Sequence, residues 1–260
     1  MELNSNRVFK AIKNGEFKIL YQAKVNIQTM KITGFEGLIR WELENGDIIP
    51  PSKFIPKLEE TKEIYLIDYY MIECAFKQIK NWILINNMVI PIAINVSKST
   101  ILKYDFIDRL VTLIDKYKIP ARYIELEITE REKIENLDYL SKIINIVREF
   151  GIKVSIDDFG VDESNIFAIS SIDFDGLKID KSIIGNIGKN KMTDSILIGI
   201  KSIMDKHKIK VIAEGIETEE QYLKLLEYGY EYGQGYYFSK PQSIEKLNLS
   251  SAVEYNVNDY

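Results

Sequence analysis

The chain of 260 residues holds one histidine, His207, and one cysteine, Cys74. Every centre that needs two of either is thereby excluded: zinc fingers, tetrahedral Cys/His zinc sites, multi-thiolate iron–sulfur clusters, internal disulfides and histidine-rich metallohydrolase sites. A Ser-His-Asp triad would have only His207 to build on. Arginine is also scarce, so Arg40, inside a strand-like run, stands out. There is no excess of positive charge: Lys and Arg number 34 against 39 Asp and Glu, a net charge of −5. Coating of a nucleic-acid duplex needs a basic surface, which argues against that role. No stretch approaches the ~18 uninterrupted apolar residues of a membrane span. The N-terminus lacks the apolar core and small-residue cleavage site of a signal peptide. These absences, with the single thiol, lead us to expect a cytoplasmic protein. The six prolines do not cluster apart from Pro50-Pro51, and no low-complexity linker interrupts the chain, so we read residues 1–260 as one domain.

Short β-rich runs alternate with longer helical patterns. Strands are expected at 17–25, 31–41, 90–97, 123–130, 153–160, 176–180, 210–216 and 233–239. Helices are expected at 62–86, 104–117, 136–150, 192–207 and 218–228, with a further helix around 243–254. Eight strands alternating with helices predict an α/β fold, a (β/α)8 TIM-like barrel, with a doubly wound open sheet as the alternative. One connection departs from that rule. Between Val25 and Lys31 only NIQTM is available, whereas a parallel crossover takes about a dozen residues. The first two strands therefore form a hairpin, and the first strand runs antiparallel to the rest.

The strands carry polar residues at every second position. Ile92, Ile94 and Val96 alternate with Ala93, Asn95 and Ser97, and Ile124, Leu126 and Ile128 with Glu125, Glu127 and Thr129. Val154 and Ile156 alternate with Ser155 and Asp157, and Leu177 and Ile179 flank Lys178. Period two puts each set on one face. In a barrel the apolar set packs under the helices and the polar set points inward, near the strand ends where barrel active sites lie. Carboxylates converging there repel one another unless cations join them. Glu36, Glu127, Asp157, Asp158 and Glu214, with the amide of Asn95, are hard oxygen donors that suit Mg²⁺, Mn²⁺ or Ca²⁺. The adjacent pair Asp157-Asp158 has the means to serve two neighbouring ions, an arrangement typical of phosphoryl chemistry.

These residues lie in strings that run in order along the chain: LYQ (20–22), EGLIRW (36–41), FIP (54–56), INVS (94–97), ELEITE (125–130), IDDFG (156–160), LKIDKS (177–182), IAEGIET (212–218) and YGQGYYFSKP (232–241). In them the chain resembles the EAL family of cyclic di-GMP phosphodiesterases, from about residue 7 to about 245. The resemblance implies a barrel with an antiparallel first strand, in agreement with the loop-length argument. It also implies divalent-metal-dependent hydrolysis of cyclic di-GMP to linear pGpG, with two Mg²⁺ or Mn²⁺ ions, and a homodimer.

The resemblance assigns roles as well. Glu36, Asn95, Glu127 and Asp157 look like ligands of one ion, and Asp157, Asp158 and Glu214 like ligands of the other. Lys178 would touch the attacking water or the phosphate, with pairing to a neighbouring carboxylate as its plainer alternative. Glu214 is a general-base candidate too, and Glu217 and Gln234 would hold water or support the ligands. Gln22 and Arg40 look like substrate contacts, the guanidinium suited to a phosphate oxygen. Glu130 would support the loop after the IDDFG strand. That loop departs from the family's usual TGYSS and reads Val161-Asp162-Glu163-Ser164-Asn165. The alternative reading is a module that binds the nucleotide without cleaving it. His207 is read as a helix-end residue and Cys74 as packing.

Overall fold

The structure is a computed structural model that describes residues 4–86, 88–129, 136–161, 170–247 and 255–256. Eight strands close into a barrel: β1 (Phe17–Asn26), β2 (Lys31–Glu42), β3 (Ile92–Asn95), β4 (Ile124–Thr129), β5 (Lys153–Phe159), β6 (Gly176–Ile179), β7 (Lys210–Ala213) and β8 (Tyr232–Gly233). Neighbours from β2 to β8 pair in parallel, and β1 closes the ring by pairing antiparallel with both β2 and β8. The expected hairpin is present. Its turn forms because the Asn26 side chain accepts from the backbone amides of Gln28 and Thr29, an Asx turn that competes successfully with further strand.

Around the barrel lie the helices α1 (Ser5–Lys13), α2 (Tyr65–Asn86), α3 (Phe106–Tyr117), α4 (Leu137–Glu149), α5 (Lys191–Lys206) and α6 (Glu219–Glu227), four of which begin at a side-chain cap. Asn4, Asn136 and Asn190 accept amide hydrogen bonds as N-caps of α1, α4 and α5. Thr218 and Gln221 form a reciprocal capping box on α6. The outward strand faces, including Ile92, Ile94, Leu126, Ile128 and Val154, are fully buried beneath this layer together with Phe76, Ile79, Leu140 and Ile144. Period-two apolar residues on the strands thus meet the apolar stripes of the helices, and the polar parity is left for the barrel interior. None of the described helices is long and apolar enough to cross a membrane.

Three expected elements are shorter or different. The strands 210–216 and 233–239 stop at Ala213 and Gly233. Beyond Ala213 the chain turns at Gly215, which adopts a φ of +67°, and beyond Gly233 it folds into a turn in which Phe238 and Ser239 donate to the Gly235 carbonyl. Leaving the ladder here lets Glu214 and Gln234 face the barrel mouth. The helix expected around 243–254 is, over its described part, a single 3₁₀ turn at Ile244–Lys246. It does not propagate because Leu247 returns to extended backbone. In addition, Tyr255–Asn256 pairs antiparallel with Met88–Val89, a contact between distant segments that local periodicity does not signal.

Gly215 combines a left-handed backbone with a position where an added Cβ would overlap the Lys181 side chain. Gly215→Ala is expected to cost about 1–3 kcal/mol. Urea unfolding of the two proteins side by side measures it, and equal midpoints would show that the turn relaxes freely.

Candidate active site

The C-terminal ends of the strands deliver their polar residues to one place. Asn95 ends β3, Glu127 and Asp157 lie near the ends of β4 and β5, and Lys178 lies on β6. Glu214 and Gln234 follow β7 and β8 directly. Glu36 and Gln22 face each other across the β1–β2 ladder. At the centre is the Lys178 ammonium, almost fully buried. It lies 2.7 Å from Glu214 Oε1, 2.8 Å from Glu127 Oε2, 3.1 Å from Asp157 Oδ2 and 3.4 Å from Glu36 Oε2. Of the two readings of this lysine, pairing with neighbouring carboxylates describes its contacts here.

A chain of amides lines one side of the cluster. Asn95 Nδ2 donates to Glu36 Oε1 at 2.7 Å, and Gln234 Nε2 donates to Glu36 Oε2 at 2.6 Å and to Gln22 Oε1 at 3.1 Å. Gln22 in turn donates to the Ser239 carbonyl. The buried Oε1 of Gln234 has no hydrogen-bond partner among the described residues. It is an acceptor left for a group that enters the site.

Adjacent residues of a regular strand point to opposite faces, yet Asp157 and Asp158 serve the same cluster. The cause is local. Asp158 adopts a left-handed φ of 58°, its amide donates to Asp157 Oδ1 at 2.8 Å, and the β5–β6 register shifts between Ile156 and Phe159. Aspartate tolerates this conformation better than most residues, and the irregularity re-aims a side chain at a site rim. Carboxylate oxygens of Glu36, Glu127 and Asp157 form one group within 4.8 Å of one another, and those of Asp157, Asp158 and Glu214 form a second. Asp157 belongs to both. All donors are hard oxygens, with no thiolate or imidazole among them, so the set suits a hard divalent cation.

The electrostatics follow from burial. Desolvation raises the pKa of Glu214 well above the usual carboxylate range and raises those of Asp157 and Glu127, while the Lys178 charge opposes each shift. Desolvation alone would lower Lys178, but Asp157, Glu127, Glu214 and Glu36 together hold it well above normal. The ammonium stays charged.

Other expected residues fall at varying distances from this centre. Arg40 stands on the same inward parity of β2 as Glu36 and Leu38, half-buried, with Nη1 donating to the Ile39 carbonyl at 2.8 Å. No carboxylate of the described residues comes within ion-pair distance of it, and burial lowers its pKa. Glu217 is exposed, and only its backbone amide is engaged, by Gln221 Oε1. The structure does not bring its carboxylate to the cluster. Glu130 and residues 162–165 lie outside the described residues. His207 caps the C-terminus of α5, and Cys74 is half-buried on α2.

Sequence reasoning missed Lys24. Its buried ammonium lies 2.9 Å from Glu125 Oε2 and 2.7 Å from Glu127 Oε1, below the Lys178 cluster. The signal was available, since Lys24 shares the parity of Gln22 on β1. Ser155 adds a hydroxyl hydrogen bond to Glu125.

A closed barrel whose C-terminal mouth gathers carboxylates suited to hard cations is thus the class of protein that the fold and site define. The EAL domain family model matches residues 5–241, and the chain belongs to the EAL domain family. It is 34% identical over 95% of its length to the signaling protein YkoW of Bacillus subtilis, of which it covers 31%. It is 31% identical over 93% of its length to the cyclic di-GMP phosphodiesterase PdeA of Borreliella burgdorferi, of which it covers 36%. The chain therefore spans about a third of the length of these curated relatives. Among solved structures, it resembles the PaMucR phosphodiesterase in complex with c-di-GMP with a TM-score of 0.85 at 26% identity, covering 94% of this chain and 98% of that one.

Replacing Lys178 by Met leaves four carboxylates without their shared cation. In metal-free buffer at pH 7 this is expected to cost about 3–5 kcal/mol. A carboxylate whose folded pKa exceeds its unfolded value destabilises the fold above that pKa, and the penalty fades as protons bind. The variant should therefore regain stability between pH 8 and pH 5, by urea unfolding at each pH. A deficit that stays constant over this range would contradict the carboxylate account.

Proposed function

We propose that this chain hydrolyses cyclic di-GMP to linear pGpG with the help of divalent cations. The observation that carries the reading is the cluster of Glu36, Glu127, Asp157 and Glu214 around Lys178, in the barrel mouth of an EAL domain. Glu36, Asn95, Glu127 and Asp157 would hold one Mg²⁺ or Mn²⁺ ion, and Asp157, Asp158 and Glu214 a second. When bound, the two ions neutralise phosphodiester charge and acidify a water molecule.

The protein's own groups do the rest. Glu214 is the general base: it follows β7 directly at the cluster, 2.7 Å from Lys178 Nζ, where its carboxylate is placed to take a proton from the attacking water. Lys178 Nζ donates to the attacking water or to a non-bridging phosphate oxygen. Gln234 Oε1, without a partner among the described residues, accepts a hydrogen bond from water. As water gives a proton to Glu214 and adds to phosphorus, the bond to one ester oxygen breaks, that oxygen takes up a proton from solvent as a free hydroxyl, and the ring opens to the linear dinucleotide. Arg40, in no ion pair with a carboxylate among the described residues, supplies a charge-assisted donor to the substrate phosphate. Gln22 orients Gln234 and reaches the substrate edge. Glu130 supports the loop after β5.

A cavity of about 510 Å³ adjoins the centre, with Asn95, Thr129 and Asp158 on its polar side and Ile39, Ile55 and Met71 on its apolar side. Its size and mixed lining suit a purine base next to a phosphate. The reaction is assigned to the cytoplasm, where a lone thiol such as Cys74 stays reduced.

Incubation of the purified protein with cyclic di-GMP in Mg²⁺, in Mn²⁺ and in chelator, followed by chromatography, tests the reading. A pGpG peak is expected with either metal and not with chelator, and Glu36→Ala or Asp157→Ala should abolish it. Intact dinucleotide in both metals, with retained binding, would favour the receptor reading instead.

The protein is further proposed to be a homodimer. Met192, Ile196 and Ile203 are exposed along α5 at spacings of four and seven residues, which is one face of a helix. Light scattering should give twice the 30.2 kDa of the chain. Ile196→Glu combined with Ile203→Glu should halve that mass, and a monomeric wild-type protein would end the proposal.

A further inference from the structure

We propose that the N-terminal mouth of the barrel, at the end opposite the carboxylate centre, binds a phosphate-type anion, with Lys208 and Lys210 as its direct donors. The mouth opens into a cavity of about 380 Å³, within the range of small-ligand sites. Five cationic side chains line it, those of Lys24, Arg122, Lys153, Lys208 and Lys210, against two carboxylates, Glu125 and Asp175. This local excess of positive charge occurs in a chain whose net charge is −5.

Both carboxylates are already committed. Glu125 pairs with the Lys24 ammonium and accepts from the Ser155 hydroxyl, and Lys24 brings its pKa down to about 2 in spite of burial. Asp175 takes two hydrogen bonds from the Arg148 guanidinium and one from the Val154 amide, and lies 3.5 Å from Lys153 Nζ. Lys24 is likewise spent on Glu125 and Glu127, so it adds field rather than a free donor.

Lys208 and Lys210 are different. Among the described residues neither ammonium has a carboxylate oxygen within 4.0 Å, and the Lys210 ammonium lies 3.9 Å above the Tyr232 ring. Burial pulls the Lys210 pKa down to about 8, Lys24 adds to the lowering, and Glu125, Glu127 and Glu231 oppose it. An anion would relieve this cost. Lys208 follows the C-terminus of α5 with a left-handed φ of 58°, a position where glycine is the usual residue. Its side chain lines the cavity. Arg122 stacks on Tyr123 at the same rim and completes a set of donors matched to phosphate oxygens.

Such an anion has two sources, free inorganic phosphate or the terminal phosphate of a nucleotide. Calorimetric titrations of the chelator-treated protein with inorganic phosphate, GMP and guanosine separate them. Under chelation the opposite mouth is rich in carboxylates and repels anions. Phosphate is expected to bind, and Lys208→Gln or Lys210→Gln should each weaken it by about tenfold. GMP binding more tightly than phosphate, with the same sensitivity to both variants, would identify a nucleotide phosphate as the source, and equal affinities would identify free phosphate. The proposal is overturned if phosphate binds both variants as it binds the wild type, if no heat is seen with phosphate or GMP, or if guanosine binds as tightly as GMP. Lys208→Gln lies on the exposed side of the rim and keeps the test valid if the Lys210 variant fails to fold. Cyclic di-GMP turnover by Lys208→Gln should stay at the wild-type rate, since the residue lies at the other end of the barrel.

Discussion

The Lys178 ammonium and the four carboxylates around it are the constraint on which the rest of this barrel depends. Anions this close, with little water, are unstable without a cation among them. Lys178 supplies it from β6, and β2, β4, β5 and the segment after β7 must all converge to meet it. Glu127 links this cluster downward to Lys24, and Lys24 to Glu125, so opposite charges alternate along the barrel interior. The interior is held by ion pairs where many barrels rely on stacked aliphatic layers.

That choice has a functional consequence. A buried ion pair is weak evidence for stability, because desolvation cancels much of its attraction. A cluster with one cation among several carboxylates retains capacity for more positive charge. The same arrangement that Lys178 holds together is thus the one into which we propose divalent ions enter. The Gln234 Oε1, without a hydrogen-bond partner among the described residues, points the same way, since it is a buried acceptor available to an entering group.

Much of this was legible locally. The five-residue link at NIQTM forced the hairpin, and period-two polar residues placed Glu127, Asp157 and Lys178 inside. Both are rules about neighbours a few residues apart. Helix boundaries were legible to within a few residues because the caps Asn136, Asn190 and Thr218 are local signals. The ends of β7 and β8 were not. Residues 214–216 and 234–239 have strand-like composition, but their turns are fixed by contacts between segments, such as the Gln234 carbonyl accepting from the Ile216 amide. The proposed helix at 243–254 failed over its described part for a related reason, since helical spacing alone does not supply a packed face.

The sequence by itself determined the alternation of strands and helices, the reversed first strand, the polar interior and the hard-donor chemistry, because each follows from residue type and short-range spacing. Only the tertiary structure decided that Asp157 and Asp158 share one face, through the left-handed turn at Asp158. Tertiary structure also made Lys178 and Lys24 partners of carboxylates up to 142 positions away, and it left Glu217 outside the cluster. Long-range pairing depends on how the strands stagger around the closed ring, and that stagger is a property of the whole sheet rather than of any one segment.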